Sequence, residues 1–122
     1  MDLFKAFAFL ALTLLLCLAA PARADDMAVY MKNGFSRAIV VELRSQTTQS
    51  VWPGGEEVFL LDKAEKKSVP VTCEAGERIC YGAWAYGDDS IAWDVGPDNA
   101  ARCDDCCFTC VAKATETIEF KQ

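Results

Sequence analysis

Cys103 to Cys110 reads CDDCCFTC, four cysteines in eight residues with two aspartates among them. Such a run suits a metal site, a dithiol redox pair or structural disulfides, and the choice decides the fold. Positions 103, 106, 107 and 110 lie on one stripe of a helix, whereas a strand would turn Cys106 and Cys107 to opposite faces. Asp98 or Asn99 could cap a short helix leading in, and the β-branched residues of FTCVA favour extension. The expectation is a short helical turn near 99–107, extended after Cys107.

Zinc is disfavoured by spacing. Structural sites take two ligand pairs from separated segments, and four ligands from one contiguous run make poor tetrahedral geometry unless Cys73 and Cys80 supply half. Iron–sulfur runs have different spacing again. Cys103–Cys106 and Cys107–Cys110 are both formally C-x-x-C, but a catalytic thiol needs a depressed pKa. Asp104 and Asp105 push the other way, and the sequence contains no histidine. Disulfides are the preferred reading.

The start of the chain agrees. MDLFKAFAFLALTLLLCLAAPARADD has Lys5 early, an apolar run from Ala6 to about Ala20, and a small-x-small exit at Ala22 and Ala24, the layout of a secretory signal peptide. Pro21 and Arg23 interrupt the run before it reaches the length of a membrane span. Cleavage after Ala24 would leave 98 of the 122 residues, 25–122, as one small domain. Cys17 would depart with the leader, so seven cysteines become six, an even number in a short exported chain. Lys and Arg would fall from 12 to 10 and Asp and Glu from 18 to 17, a net charge of −7. That acidity, with no basic stripe, argues against nucleic acid and against anionic membrane surfaces as partners. No stable membrane insertion is expected once the leader is gone, and a secreted or periplasmic location follows.

The six remaining cysteines, Cys73, Cys80, Cys103, Cys106, Cys107 and Cys110, are read as structural disulfides. Cys73 and Cys80 flank EAGERI and could bond across it. The favoured arrangement has each of them reach one member of the cluster, leaving the other two to pair locally. Two such bridges would pin the cluster segment onto the sheet.

Outside the cluster, short strand-like segments alternate with turn signals. MAVYMK runs into a turn at Asn33-Gly34, RAIVVELRS puts Ile39, Val41 and Leu43 on one face with Glu42 and Arg44 on the other, and WPGG from Trp52 is a tight turn in which Gly54 takes φ > 0. EVFLLD is continuously apolar and reads as a strand covered on both faces. KSVPVTC, RICYGAWAY, SIAWDV and TETIEF complete the set. The fold class expected is mainly β, a disulfide-braced antiparallel sandwich or barrel of about seven or eight short strands.

YGAWAYGDDSIAWDVG is expected to form a hairpin turning at Asp88-Asp89. That register sets Trp84 opposite Trp93 and Cys80 opposite Pro97. Cys80, Trp84, Tyr86, Ile91, Trp93 and Val95 then share one face, taken as the core face. The competing use of those aromatics is a platform for stacking a sugar or peptide.

With no histidine, a Ser-His-Asp or Cys-His nucleophile is absent in its usual form, and no Gly-rich phosphate loop appears. Asp88, Asp89, Asp94, Asp98, Asp104 and Asp105 crowd one stretch, but the spacing matches no EF-hand loop, and solvated loop charge is the plainer reading. No catalytic residue, metal or cofactor is expected. Candidate ligand-binding residues are Trp52, Trp84, Trp93, Asp88, Asp89, Asp94 and Asp98.

CEAGERICYGAW, WDVG and CDDCCFTC together resemble small exported bacterial proteins described as uncharacterised. The resemblance spans Trp52 to Cys110 and implies a bacterial, disulfide-braced β domain, with no activity to transfer. The absence of any Asn-x-Ser/Thr sequon agrees with a bacterial source. The functional expectation is a non-enzymatic exported protein that binds another protein or an envelope component. The alternative is a carbohydrate- or calcium-binding module built on the tryptophans and aspartates, and a more distant one is a metal or redox protein using Cys103–Cys110.

Overall fold

The computed structural model describes residues 24–121; apart from Ala24, the expected leader lies outside them. Nine strands run in the order β1 (Ala24–Gly34), β2 (Ile39–Ser45), β3 (Val51–Trp52), β4 (Phe59–Leu61), β5 (Lys66–Glu74), β6 (Arg78–Ala85), β7 (Asp88–Asp94), β8 (Cys107–Thr109) and β9 (Thr115–Lys121). They form two sheets. One is three-stranded, ordered β5-β1-β9. The other is ordered β3-β2-β6-β7, with β4 also on β2 and β8 also on β6. Neither closes on itself, so the fold is a sandwich. Pairing is antiparallel except between β1 and β9, which run parallel.

Period-two alternation builds the core. Met27, Val29 and Met31 of β1, Val69, Val71 and Cys73 of β5, and Ile118 and Phe120 of β9 point inward from the smaller sheet. Ile39, Val41, Leu43, Leu61, Ile79, Ala83, Ala85 and Phe108 meet them from the larger one. Each fully buried Val, Leu, Ile, Met or Phe contributes about 1.5–3 kcal/mol. Phe120 lies edge-on to Tyr81 across the layers, ring centroids 6.1 Å apart.

The hairpin differs from expectation: its turn lies two residues earlier, and beyond an irregularity its register is offset by one. The turn is Tyr86-Gly87, with Gly87 at φ +79° and Ala85 paired with Asp88. The register then shifts, so that Trp84 pairs with Ala92 and Ala83 with Trp93. Gly87 accepts a positive φ without strain and draws the turn forward, and the irregularity leaves Asp89 to Ile91 without partners on β6. A one-residue slip flips every side chain to the other face. Ala83 and Ala85 therefore face the core, Trp93 packs against it with Ile91, and Trp84 faces outward. Tyr86, expected inside, is 64% exposed.

Three smaller expectations are also corrected. β1 continues through Gly34, because Asn33 is buried and used as a plug: its Nδ2 donates to the carbonyls of Arg37 (2.8 Å), Leu61 (3.2 Å) and Asp62 (3.1 Å), while Oδ1 accepts from the Phe35 N–H at 2.8 Å. β4 is covered on one face only, leaving Leu60 41% exposed. The short helical turn lies at Pro97–Asn99, ahead of the cysteines; Asp98 and Asn99 take positive φ, which ends any continuation into 99–107. From Cys107 the chain is extended, as β8.

Residues 95–106 fold back over the outer face of the larger sheet. Gly82 of β6 makes room for them. A Cβ there would stand 2.9 Å from the Gly96 nitrogen and nearer still to its carbonyl oxygen. The Tyr81 N–H donates to the Cys106 carbonyl at 2.9 Å, and Cys80, Val95 and Cys106 form a second small core beneath the loop.

Candidate functional site

The six cysteines among the described residues are bonded in pairs: Cys73–Cys110, Cys80–Cys107 and Cys103–Cys106. Cys73 and Cys80 each reach one member of the cluster and the remaining two pair locally. The first bridge joins the two sheets, since Cys73 is on β5 and Cys110 directly follows β8. The second links directly opposed residues of β6 and β8. The third closes only the 103–106 loop.

Asp94, Cys103 and Cys106 bring potential ligand atoms within 4.8 Å of one another. Both sulfurs are bonded to each other, so the group offers a metal one carboxylate and no thiolate. Asp94 Oδ1 stands 3.1 Å from Cys106 Sγ, and burial raises the Asp94 pKa above its usual 3.8. Burial, then the charges of Asp94, Glu116 and Asp105, likewise raises the Tyr81 phenol above 10.0.

The three tryptophans part company. Trp52 packs against the core and its indole N–H donates to the Thr72 carbonyl at 3.2 Å. Trp93 sits edge-on to Phe35, centroids 4.8 Å apart, and donates to the Lys121 carbonyl. Both bridge the layers. Trp84 does neither: partly buried like the other two, it lies on the outer face, and its indole N–H has no protein partner among the described residues. Of the candidate aspartates, only Asp98 lines the same groove as Trp84. Asp88 turns back on its own hairpin, accepting from the Ser90 hydroxyl and N–H, and these bonds lower its pKa. Asp89 is exposed beside it, and Asp94 lies under the disulfide loop.

Register defines the surface around Trp84. Leu60, Val40, Trp84 and Ala92 are consecutive cross-strand partners from β4 to β7, an apolar row across the outer face. Next to it lies a groove of about 360 Å³ between the Gly54–Val58 turn and Pro97-Asp98, with Trp84, Val58 and Pro97 among its walls. Glu42, Glu56, Glu57 and Asp98 contribute carboxylates to it, against the single guanidinium of Arg44. Arg44 is held by Glu42 at 2.6 Å and Asp98 at 3.2 Å. That pairing links Asp98 of the outer loop to β2. A second concavity of about 480 Å³ beside the Cys80 and Cys103 bridges carries Arg78 and Arg102.

Sequence reasoning singled out Trp84 and Asp98 but missed Leu60, Val58 and Pro97. It did place Glu42 and Arg44 on the face opposite the core, which was the available signal. Nothing local announced that a loop thirteen residues beyond Trp84 would wall them in.

No family model matches the chain, and neither a curated protein nor a solved structure matches it. Three disulfides point to a non-reducing environment. No helix among the described residues is long and apolar enough to cross a membrane.

Proposed function

We propose that this is a small, acidic, non-enzymatic binding protein, exported by a bacterium to its periplasm or beyond, which engages a protein or envelope component. The observation that carries the reading is the preformed groove over Trp84. The Glu42–Arg44–Asp98 pairing ties the Pro97-Asp98 wall to β2 without a ligand, and such preorganisation lowers the entropic cost of binding. The missing histidine and the pairing of all six cysteines support a binding role over catalysis.

The test is to recover the native protein from its own compartment. Its intact mass should begin at Asp25 and fall six hydrogens short of the reduced value, unchanged by alkylation without reductant. Mild crosslinking beforehand should give a defined adduct. Alkylatable thiols, or substrate turnover with no adduct, would overturn the reading.

A carbohydrate module is the second reading, favoured by Trp84, which lines the outer groove together with Asp98 instead of packing between the layers. Calcium has less support, because Asp88, Asp89, Asp94 and Asp98 are dispersed over the hairpin tip, the disulfide loop and the groove rim.

A further inference from the structure

The groove over Trp84 has a charge as well as a shape. Four carboxylates face one guanidinium, and that guanidinium is already engaged by two of them. Glu56 and Glu57 stand exposed on the turn and pair with no cation among the described residues. A neutral ligand gains little from such a field, whereas a cation gains from the carboxylates and from an indole beside them. The apolar surroundings add a second requirement. Of the four large apolar residues exposed among those described, Val58 and Leu60 lie on this face, and Tyr86 at the hairpin end is two residues from Trp84. Clustering of this kind marks an interaction surface more than scattered exposure does.

We propose that the groove receives a lysine or arginine side chain of a partner protein, its cation set against Trp84 and the carboxylates of Asp98, Glu56 and Glu57, with a neighbouring apolar side chain resting on Val58 and Leu60. The inference rests on the binding-protein reading and gives the partner its chemistry: a short segment alternating basic and apolar residues.

The probe is a capped synthetic peptide, Arg-Leu-Lys-Leu-Arg, titrated calorimetrically into the oxidised protein beside Glu-Leu-Glu-Leu-Glu and the trimer of N-acetylglucosamine. Expected is binding of the basic peptide alone, weakened by added salt. Trp84→Ala should weaken it about tenfold, as loss of a central aromatic anchor does. Paired Glu56→Gln and Glu57→Gln, at exposed positions that leave the fold intact, should weaken it roughly threefold. If Trp84→Ala does not fold, the glutamine pair decides alone. The proposal is overturned if the acidic peptide binds equally well, if the glutamine pair leaves affinity unchanged, or if no peptide binds. Binding of the sugar trimer without the basic peptide would also overturn it, and would make the groove a carbohydrate site. In each case the crosslinked adduct from the native compartment still reports separately on whether this is a binding protein.

Discussion

Glu77 sits at the corner where β5 of one sheet hands over to β6 of the other, and it is only 3% exposed. Burial pushes its pKa up, but hydrogen bonds from the Ser45 hydroxyl, the Glu74 N–H and the Thr48 hydroxyl more than offset this, leaving it below the usual 4.5. A carboxyl depressed in the folded state stabilises above its unfolded pKa, and that contribution is lost as pH falls through the folded value. Wild-type protein should therefore lose thermal stability as pH drops below about 4.5. Glu77→Gln should be less stable by about 1–3 kcal/mol at neutral pH, with a flatter decline in acid. Thermal midpoints of both proteins across the acid range check this; parallel curves would show that Glu77 is not the titrating group. Asn33 belongs to the same class, a buried polar side chain whose partners are backbone groups of two segments, 35–37 and 61–62. In the sequence each looked like an ordinary turn residue, because what buries them comes from distant chain.

At the scale of elements, the bridges are unequal. Cys73–Cys110 spans 37 positions and joins the layers, whereas Cys103–Cys106 spans 3. Loop-closure entropy assigns the first about 4 kcal/mol and the second about 2. Replacing both cysteines of the long bridge by alanine should lower the denaturation midpoint about twice as far as the same change in the short one, with Cys80–Cys107 intact in both proteins. Equal losses would mean that the short bridge is holding the outer loop, and through it Val95 and Gly96, more tightly than its size implies. Most strands were legible because inward residues recur every second position, as in Met27, Val29 and Met31 or Ile39, Val41 and Leu43. The β6–β7 hairpin was not. Its two tryptophans could be set opposite each other only if the turn were regular, and the shift after Ala85 sends one inward and the other out. Of the seven candidate residues only Trp84 and Asp98 share the groove; Trp93 and, on β3, Trp52 are interlayer packing, and Asp88, Asp89 and Asp94 lie elsewhere. The apolar run at Phe59–Leu61 misled for a related reason. Apolar content shows that a strand is apolar, and only its neighbours show which face is covered.

Taken whole, the molecule is two layers held by side chains that cross between them. Phe120 of β9 is 1% exposed and meets Tyr81 of the facing sheet. Phe120→Ala should cost about 3–5 kcal/mol, a large share of the 5–15 kcal/mol available to a domain of this size. Denaturant titration followed by tryptophan emission would show it, since Trp93 is bonded to the adjacent Lys121 carbonyl. A loss below about 1 kcal/mol would mean that Phe120 is not a principal contact between the layers. The placement of β9 beside β1 also governs when the molecule can exist. Ala28 finds its parallel neighbour only in Thr115, and Gly34 only in Lys121. A chain delivered from its N-terminus thus holds β1 with one edge open until nearly all of it has arrived, and such distant pairings form slowly. Topology makes the last strand the one that completes the first, and β1 gains its second hydrogen-bonded edge only when residues 115–121 are present.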